Sequence, residues 1–318
     1  MNDKILFSVL IPAYKGSYLK EAMQSVLEQD YANLELIVLN DCSPEPLENI
    51  VANFTDSRIR YYKNKKNSGA ERLVETWNKC LSLANGDFVI CMGDDDKLKP
   101  NCLSGYNSLI NEYPGYDVYH GMTEIINEDS VVTRLQEQRP IQESVYSMMY
   151  HRWNGRIQFI GDFLYRRDVL VSKGGFFDLP MAWGSDDITA YLMAGDKGII
   201  NSQVPLFQYR ISSLTLTKSG NADIKLRAIQ GDEEWTRSFL QVKPNKEEDI
   251  KYWEGLKSMF TRNYDSKRKA ALFNDIYSNG ILSVVYWIRH RHQFSISSSQ
   301  IFLSVKSALV AKKGKYIK

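Results

Sequence analysis

The 318 residues are 43% hydrophobic and 25% charged, a balance typical of a soluble globular protein, in a chain long enough to bury a sizeable core. The net charge of +2 conceals a split: residues 1–250 hold 27 Lys and Arg against 35 Asp and Glu, whereas residues 251–318 hold 13 against 3. No apolar run approaches the ~18 residues of a spanning helix.

The first stretch, "ILFSVLIPAY" (5–14), is almost continuously apolar, as a strand buried on both faces would be. Its leader "MNDK" lacks the positive excess of a secretory segment, so it reads as a strand and not as a signal. "SYLKEAMQSVLEQ" (17–29) follows with helical spacing, "LELIVLND" (34–41) as a second strand and "PLENIVANF" (46–54) as a short helix. "RIRYYKN" (58–64), "GAERLVETWNKCLSLAN" (69–85) and "DFVICM" (87–92) continue as strand, helix, strand. A βαβαβαβ order demands a mainly parallel sheet flanked by helices, with ligands beyond the carboxyl ends of its strands. Between 115 and 165 the signals are mixed, with "YDVYHGMTEII" and "IQFIGDFLYR" strand-like. "DVLVSKGGF" (168–176) reads as a helix closed by two glycines, "SDDITAYLMAGDKG" (185–198) as a helix and "PLFQYRI" (205–211) as a last strand. Beyond about 220 four helical stretches appear, which divides the chain into residues 1–218 and a helical, basic region, 219–318.

Three constellations carry chemistry. In "FVICMGDDDKLKP" (88–100) a buried strand runs into Asp94, Asp95 and Asp96. Pro100 marks the next helical turn, which leaves the three too far upstream for all to cap it. A hard divalent cation, Mg²⁺ or Mn²⁺, removes the repulsion between such carboxylates, bound through one or two of them plus substrate phosphates. Asp41 ends the second strand, where a carboxylate either accepts from a nucleotide base or sugar hydroxyl or makes an Asx-turn before Pro44. Asp186 and Asp187 open a helix, where they are an ordinary helix start or a general base for an attacking hydroxyl. The cysteines (Cys42, Cys80, Cys91, Cys102) show neither CxxC nor zinc spacing, which suits reduced thiols in a cytoplasmic protein.

Together these stretches resemble inverting family 2 glycosyltransferases of the GT-A fold. The opening 39 residues of the match, "FSVLIPAYKGSYLKEAMQSVLEQDYANLELIVLNDCSPE", carry Pro12, Tyr14, Ser25, Leu27, Gln29, Asp41 and Ser43 where that family has them. "NKKNSGAERLVETWNKCLSLANGDFV" adds Asn67, Gly69, Asn78, Ala84 and Gly86, and "MGDDDKLKP" and "GGFFDLPMAWGSDD" resemble the metal motif and the segment that ends in the base. The resemblance spans about 5–215. It implies a Rossmann-like α/β domain of GT-A type and transfer of a sugar from a nucleotide-sugar to an acceptor hydroxyl, with inversion and a Mg²⁺ or Mn²⁺ ion. A UDP-sugar comes first among donors, a saccharide or lipid-linked saccharide is the acceptor, and surface-polysaccharide assembly is the setting. Residue by residue, Pro12, Ala13 and Tyr14 line the nucleobase pocket and Asp41 binds base or ribose. Asp95 ligates the metal, with Asp94 beside it at the ribose or diphosphate. Asp187 falls on the base, with Asp186 its neighbour. Gly93 departs from the family's first Asp of Asp-x-Asp, and Asp186 from its usual Glu.

Two rival classes share some of these features. A nucleotidyltransferase would want a Gly-rich basic loop after the first strand, and "IPAYKGSYLKE" has one Gly. A non-catalytic nucleotide-sugar binder would tolerate Asp187→Asn without loss of function. The basic tail alone, without a recognisable module, does not make a nucleic-acid binder. In "IFLSVKSALVAKK", Ile301, Val305, Ala308 and Leu309 share one helical face, and residues 280–318 suit an anionic membrane surface on the cytoplasmic side. A subdomain packed on the catalytic domain, or a homodimer face, is the competing expectation.

Overall fold

The computed structural model describes residues 5–212 and 221–315. It divides into two compact units, Met1–Asp178 with Ser185–Thr215 and Leu179–Gly184 with Leu216–Lys318. The boundary expected at 218/219 lies outside the described residues.

The first unit is built on a ten-stranded sheet. Its strands are β1 (Phe7–Ala13), β2 (Leu34–Asn40), β3 (Ile59–Lys63), β4 (Phe88–Cys91), β5 (Lys97–Leu98), β6 (Val118–Ile126), β7 (Val132–Leu135), β8 (Gln142–Glu143), β9 (Phe163–Arg166) and β10 (Ile199–Arg210). The order is β3-β2-β1-β4-β9-β6-β10-β5, with β7 on β6 and β8 on β10. The β3-β2-β1-β4 half is parallel throughout, as the βαβ order requires. β9 is wedged antiparallel between β4 and β6, and β6 pairs parallel with β10. Every residue of β2 is buried, as are all but Pro12 of β1, which explains their unbroken apolar character. Helices α1 (Leu19–Leu27), α2 (Leu47–Val51), α3 (Leu73–Leu83), α4 (Cys102–Glu112), α5 (Val145–Trp153), α6 (Arg167–Ser172) and α7 (Ser185–Ala194) complete the unit.

Glu35 is the exception inside β2. It accepts from Ser8 Oγ, the Asn85 amide and Arg60 Nη1, each at 2.6 Å. Burial alone would raise its pKa, but these donors outweigh burial and hold it below the usual value. Removing the acceptor strands three donors, so Glu35→Ala should cost about 2–3 kcal/mol in urea unfolding at pH 7. A depressed carboxylate stabilises the fold above its unfolded value of about 4.3 and loses that contribution as pH falls through the folded value. The gap between variant and parent should therefore close in acid.

Several sequence expectations are corrected. Of "IQFIGDFLYR" only Phe163–Arg166 is strand; Ile160–Asp162 is a 3-10 turn, because the Asp162 carboxylate folds back to accept from the Phe159 amide at 2.9 Å. The last strand starts at Ile199, six residues before "PLFQYRI", and absorbs Pro205 at a register shift against β6. "DVLVSKGGF" is helical to Ser172, and Gly174 and Gly175 both adopt positive φ. At Gly175 a Cβ would lie 2.3 Å from Asn78 Oδ1. The Asn78 side chain needs that space: it accepts from the Phe176 amide at 2.7 Å and donates to the Phe176 carbonyl at 3.1 Å.

The second unit is helical: α8 (Ala222–Phe239), α9 (Glu247–Asn279), α10 (Ile281–His290) and α11 (Ser298–Lys315). The two stretches expected as separate helices, "DIKYWEGLKSMFTR" and "RKAALFNDIY", are one 33-residue helix, since the "NYDSK" that joins them holds neither Gly nor Pro. In α8 and α9, Tyr264 and Lys267 converge on Asp232, and Arg268 pairs with Glu233. The segment Leu179–Gly184 packs on α8, and Trp183 faces Lys225, whose Nζ lies 5.0 Å from the ring centroid. α11 does not present the expected face: Ile301 and Ala308 are buried, but Leu309 is 57% exposed. No helix among the described residues is long and apolar enough to cross a membrane.

Candidate active site

The acidic loop leaves β4 and is pinned from three sides. Asp94 Oδ2 accepts from the Tyr14 and Lys15 amides, both at 2.7 Å, which ties it to the end of β1. Asp96, 3% exposed, accepts from the Arg210 amide at 2.9 Å and the Gly93 amide at 3.3 Å. On the far side α1 grips the exit: Ser25 Oγ accepts from the Leu98 amide, Gln29 Nε2 donates to the Lys99 carbonyl and Gln29 Oε1 accepts from the Leu103 amide. Among the described hydrogen bonds, none from another residue's side chain takes the Asp95 carboxylate. A Cβ at Gly93 would meet Asp95 Oδ1 and Asp96 Oδ2 at 2.9 Å each, so this chain uses glycine to bring those two carboxylates in.

That crowding shifts their protonation. Burial pushes Asp94 up to about 6, with Asp95 adding to it against the two amides. Burial also raises Asp95, opposed by Lys15 and Arg210, and raises Asp96 well above the usual value with Asp95 reinforcing it. Arg210 is fully buried beneath the loop. Its Nε donates to the Asp95 carbonyl at 2.7 Å, Nη1 to Asn127, Glu128 and Ser130, and Nη2 to Glu21, while its guanidinium lies 4.1 Å from the Tyr18 ring centroid. A guanidinium so fully engaged is a scaffold for the loop.

Of the residues expected around a nucleobase, Tyr14 is 41% exposed and Pro12 partly so, but the Ala13 side chain is fully buried. Ala13 contributes its carbonyl instead, which accepts from the Asp41 amide at 2.9 Å. The Asp41 carboxylate is occupied by Asn64 Nδ2 at 2.6 Å and by the Ser68 amide and hydroxyl at 3.1 Å. Ser43, which donates to the Tyr14 carbonyl at 2.6 Å, joins the two strand ends.

Asp186 and Asp187 sit in the first turn of α7 but in different surroundings. Arg152 Nε lies 3.0 Å from both oxygens of Asp187, and Gln158 Nε2 donates to Asp187 Oδ1 at 2.7 Å. Asp187 in turn raises the pKa of Arg152, which stays charged. No other side chain among the described residues donates to Asp186. Burial, then repulsion from Asp187, push Asp186 up to about 7, with Arg152 opposing. Two tyrosines mark how the groups converge. Burial raises Tyr209, and Asp96, Asp95 and Asp186 all add to it, so one ring lies in the field of both acidic sites. Tyr165 is raised by burial, then by Asp186. Tyr209 is fixed by stacking on Phe159 at 3.7 Å. Arg152, Gln158, Tyr165 and Tyr209 carried no sequence signal, because nothing in "MMYHRW", "IQFIGDFLYR" or "FQYR" separates them from ordinary helix and strand residues.

The profile of Glycosyl transferase family 2 matches residues 8–172, just over half of the chain. The chain belongs to glycosyl transferase family 2. Among curated relatives of this family 2 chain, a putative colanic acid biosynthesis glycosyl transferase, WcaA of Escherichia coli K12, is 38% identical over 107 residues, 33% of this chain and 37% of that one. The Escherichia coli UDP-Glc:alpha-D-GlcNAc-diphosphoundecaprenol beta-1,3-glucosyltransferase WfgD is 33% identical over 131 residues, 41% of this chain and 50% of that one. The chain thus spans between a third and a half of these two relatives. In structure it is similar to residues 1–349 of Staphylococcus aureus TarS, solved with UDP-GlcNAc, at a TM-score of 0.67 and 15% identity over 98% of this chain and 92% of that one. A Pyrobaculum calidifontis mannosyltransferase solved with GDP-Man and Mn²⁺ gives 0.55 at 15% identity, over 98% and 86%. These two likenesses establish the GT-A type of fold.

The acidic loop fits a divalent ion of the kind that binds substrate phosphates. No group of three or more His, Cys, Asp or Glu forms a cage among the described residues. Among the described hydrogen bonds no other side chain takes the Asp95 carboxylate, and beside it the second oxygen of Asp94 lies outside its amide clamp. Mg²⁺ bound by one or two carboxylates and completed by a diphosphate needs no more.

Proposed function

We propose that this family 2 glycosyltransferase moves a sugar from a nucleotide-sugar to an acceptor hydroxyl with inversion, and that Asp186 takes the acceptor's proton. The pairing of Asp187 with Arg152 and Gln158, which leaves Asp186 without a side-chain donor among the described residues, carries this reading. As the acceptor O–H bond loses its proton to Asp186, the oxygen attacks the anomeric carbon. The bond from that carbon to the diphosphate oxygen breaks, and the nucleoside diphosphate leaves with the electron pair. One displacement inverts the centre. A Mg²⁺ or Mn²⁺ ion held by Asp95 with Asp94 would offset the charge that develops on the leaving diphosphate. Tyr14 presents an exposed ring to the base, and Asp41, fixed by Asn64 and Ser68, stands at the ribose side.

A UDP-sugar donor and a lipid-linked saccharide acceptor are supported by WfgD, whose name specifies UDP-Glc and a diphosphoundecaprenol acceptor. Surface-polysaccharide assembly is supported by WcaA and by a putative teichuronic acid glycosyltransferase of Bacillus subtilis, TuaG, which is 34% identical over 105 residues. A thermal-shift screen of UDP-, GDP- and dTDP-sugars with Mn²⁺ tests the reading. The true donor should add about 2.7 kcal/mol of stability at a hundredfold excess over its Kd. EDTA or Asp95→Asn should remove most of that gain. No response from any donor sinks the proposal.

A further inference from the structure

We infer that α10 and α11 form a surface that docks on an anionic lipid bilayer. α11 is packed the wrong way round for a helix that ends at its own core. The side it packs on α9 buries Ile301, Ser304 and Ala308. Its larger apolar side chains point outward on the opposite side: Phe302 is 68% exposed, Val310 64%, and Leu303 and Leu309 are exposed too. Lys306 lies within the same arc, one turn from Phe302. α10 repeats the arrangement. Ser283 and Trp287 are buried, while Ile281, Leu282, Val285 and Ile288 are exposed, Leu282 to 79%, with Arg289 among them. Exposed apolar patches of this kind mark a partner or a membrane.

Charge decides between occupants. No Asp or Glu follows Asp275, while seven Lys and Arg do (Arg289, Arg291, Lys306, Lys312, Lys313, Lys315, Lys318). A second copy would bring two such like-charged faces together, which electrostatics oppose. An anionic headgroup layer satisfies the basic residues while its acyl boundary takes the apolar ones, as interfacial helices do. This surface is separate from the donor chemistry above, and its test does not depend on turnover.

Full-length chain should co-sediment with phosphatidylglycerol-containing vesicles and far less with pure phosphatidylcholine, and raising salt should weaken the binding. Phe302→Glu with Leu309→Glu, or Ile281→Glu with Leu282→Glu, should lower partition at least about tenfold. Because these side chains are exposed, thermal unfolding and UDP binding should match the parent. Lys306→Glu with Arg289→Glu leaves the apolar residues in place and should still cut binding to the anionic vesicles. Failure of the parent to bind phosphatidylglycerol vesicles at low salt, or equal binding to both lipids, would overturn the inference. So would a concentration-dependent dimer in sedimentation that the apolar variants abolish.

Discussion

Asp186→Asn should lower kcat by about 10²–10⁴, the range that a positioned general base supplies, while donor binding stays intact. Two adjacent carboxylates divide the labour. A base must be open to the acceptor hydroxyl and have a pKa near the working pH, and Arg152 at 3.0 Å, with Gln158 beside it, already engages both oxygens of Asp187. Asp186 has both, pushed up to about 7 by burial and by its neighbour. The sign follows: a base must be ionised, so kcat/KM should fall as pH drops below about 7. A carboxylate raised in the folded state penalises folding increasingly as pH rises from its unfolded value, about 3.9, to its folded one. The asparagine variant removes that penalty, so at pH 8 it should be inactive yet no less stable than the parent. Asp187→Asn should behave differently, losing stability because Arg152 and Gln158 are left without their acceptor, and moving the acid limb to lower pH because the repulsion that helps to raise Asp186 is gone. A mutant pair with the opposite pattern, Asp187→Asn dead and Asp186→Asn active, would return the base to the position that the family resemblance implies.

The comparison of these two residues shows where the sequence was informative and where it was not. The parallel β3-β2-β1-β4 half was legible because two-sided burial writes unbroken apolar strands, and βαβ order fixes their direction. Ser25, Gln29 and Asn78 were legible as family positions, yet their work is visible only in three dimensions: each satisfies backbone groups far away in the chain, Asn78 at a separation of 98 residues. The acidic sites were legible as clusters of carboxylates. Which carboxylate is free was not, because that depends on Arg152 arriving from α5 and on Arg210 arriving from β10, contacts with no local pattern. The fate of Ala13 was hidden for a related reason: strand alternation places it inside, whatever the motif around it. The long α9 was read as two pieces since its polar middle breaks the apolar rhythm, although no residue there stops a helix.

Arg210→Met should destabilise the fold by about 3–5 kcal/mol, the cost of breaking a buried ionic network by removing one member, and should weaken metal-dependent donor binding as well. The guanidinium is fully buried and satisfies three backbone carbonyls, one serine hydroxyl and Glu21. Methionine fills much of the volume but donates to none of them. The carbonyls of Asp95, Asn127 and Glu128 would then lose their donor, each at the expense of an unmade hydrogen bond. Because one of those carbonyls belongs to Asp95, the loss is transmitted to the residue proposed to hold the cation. Lysine keeps the charge but not the planar fork that reaches several acceptors at once, so Arg210→Lys should recover only part of the stability. Urea unfolding at pH 7 reads the first effect, and Mn²⁺-dependent thermal stabilisation by the donor reads the second. If Arg210→Lys matched the parent in both, the guanidinium would not be the scaffold of the acidic loop, and the loop's geometry would have to be held by α1 and the end of β1 alone.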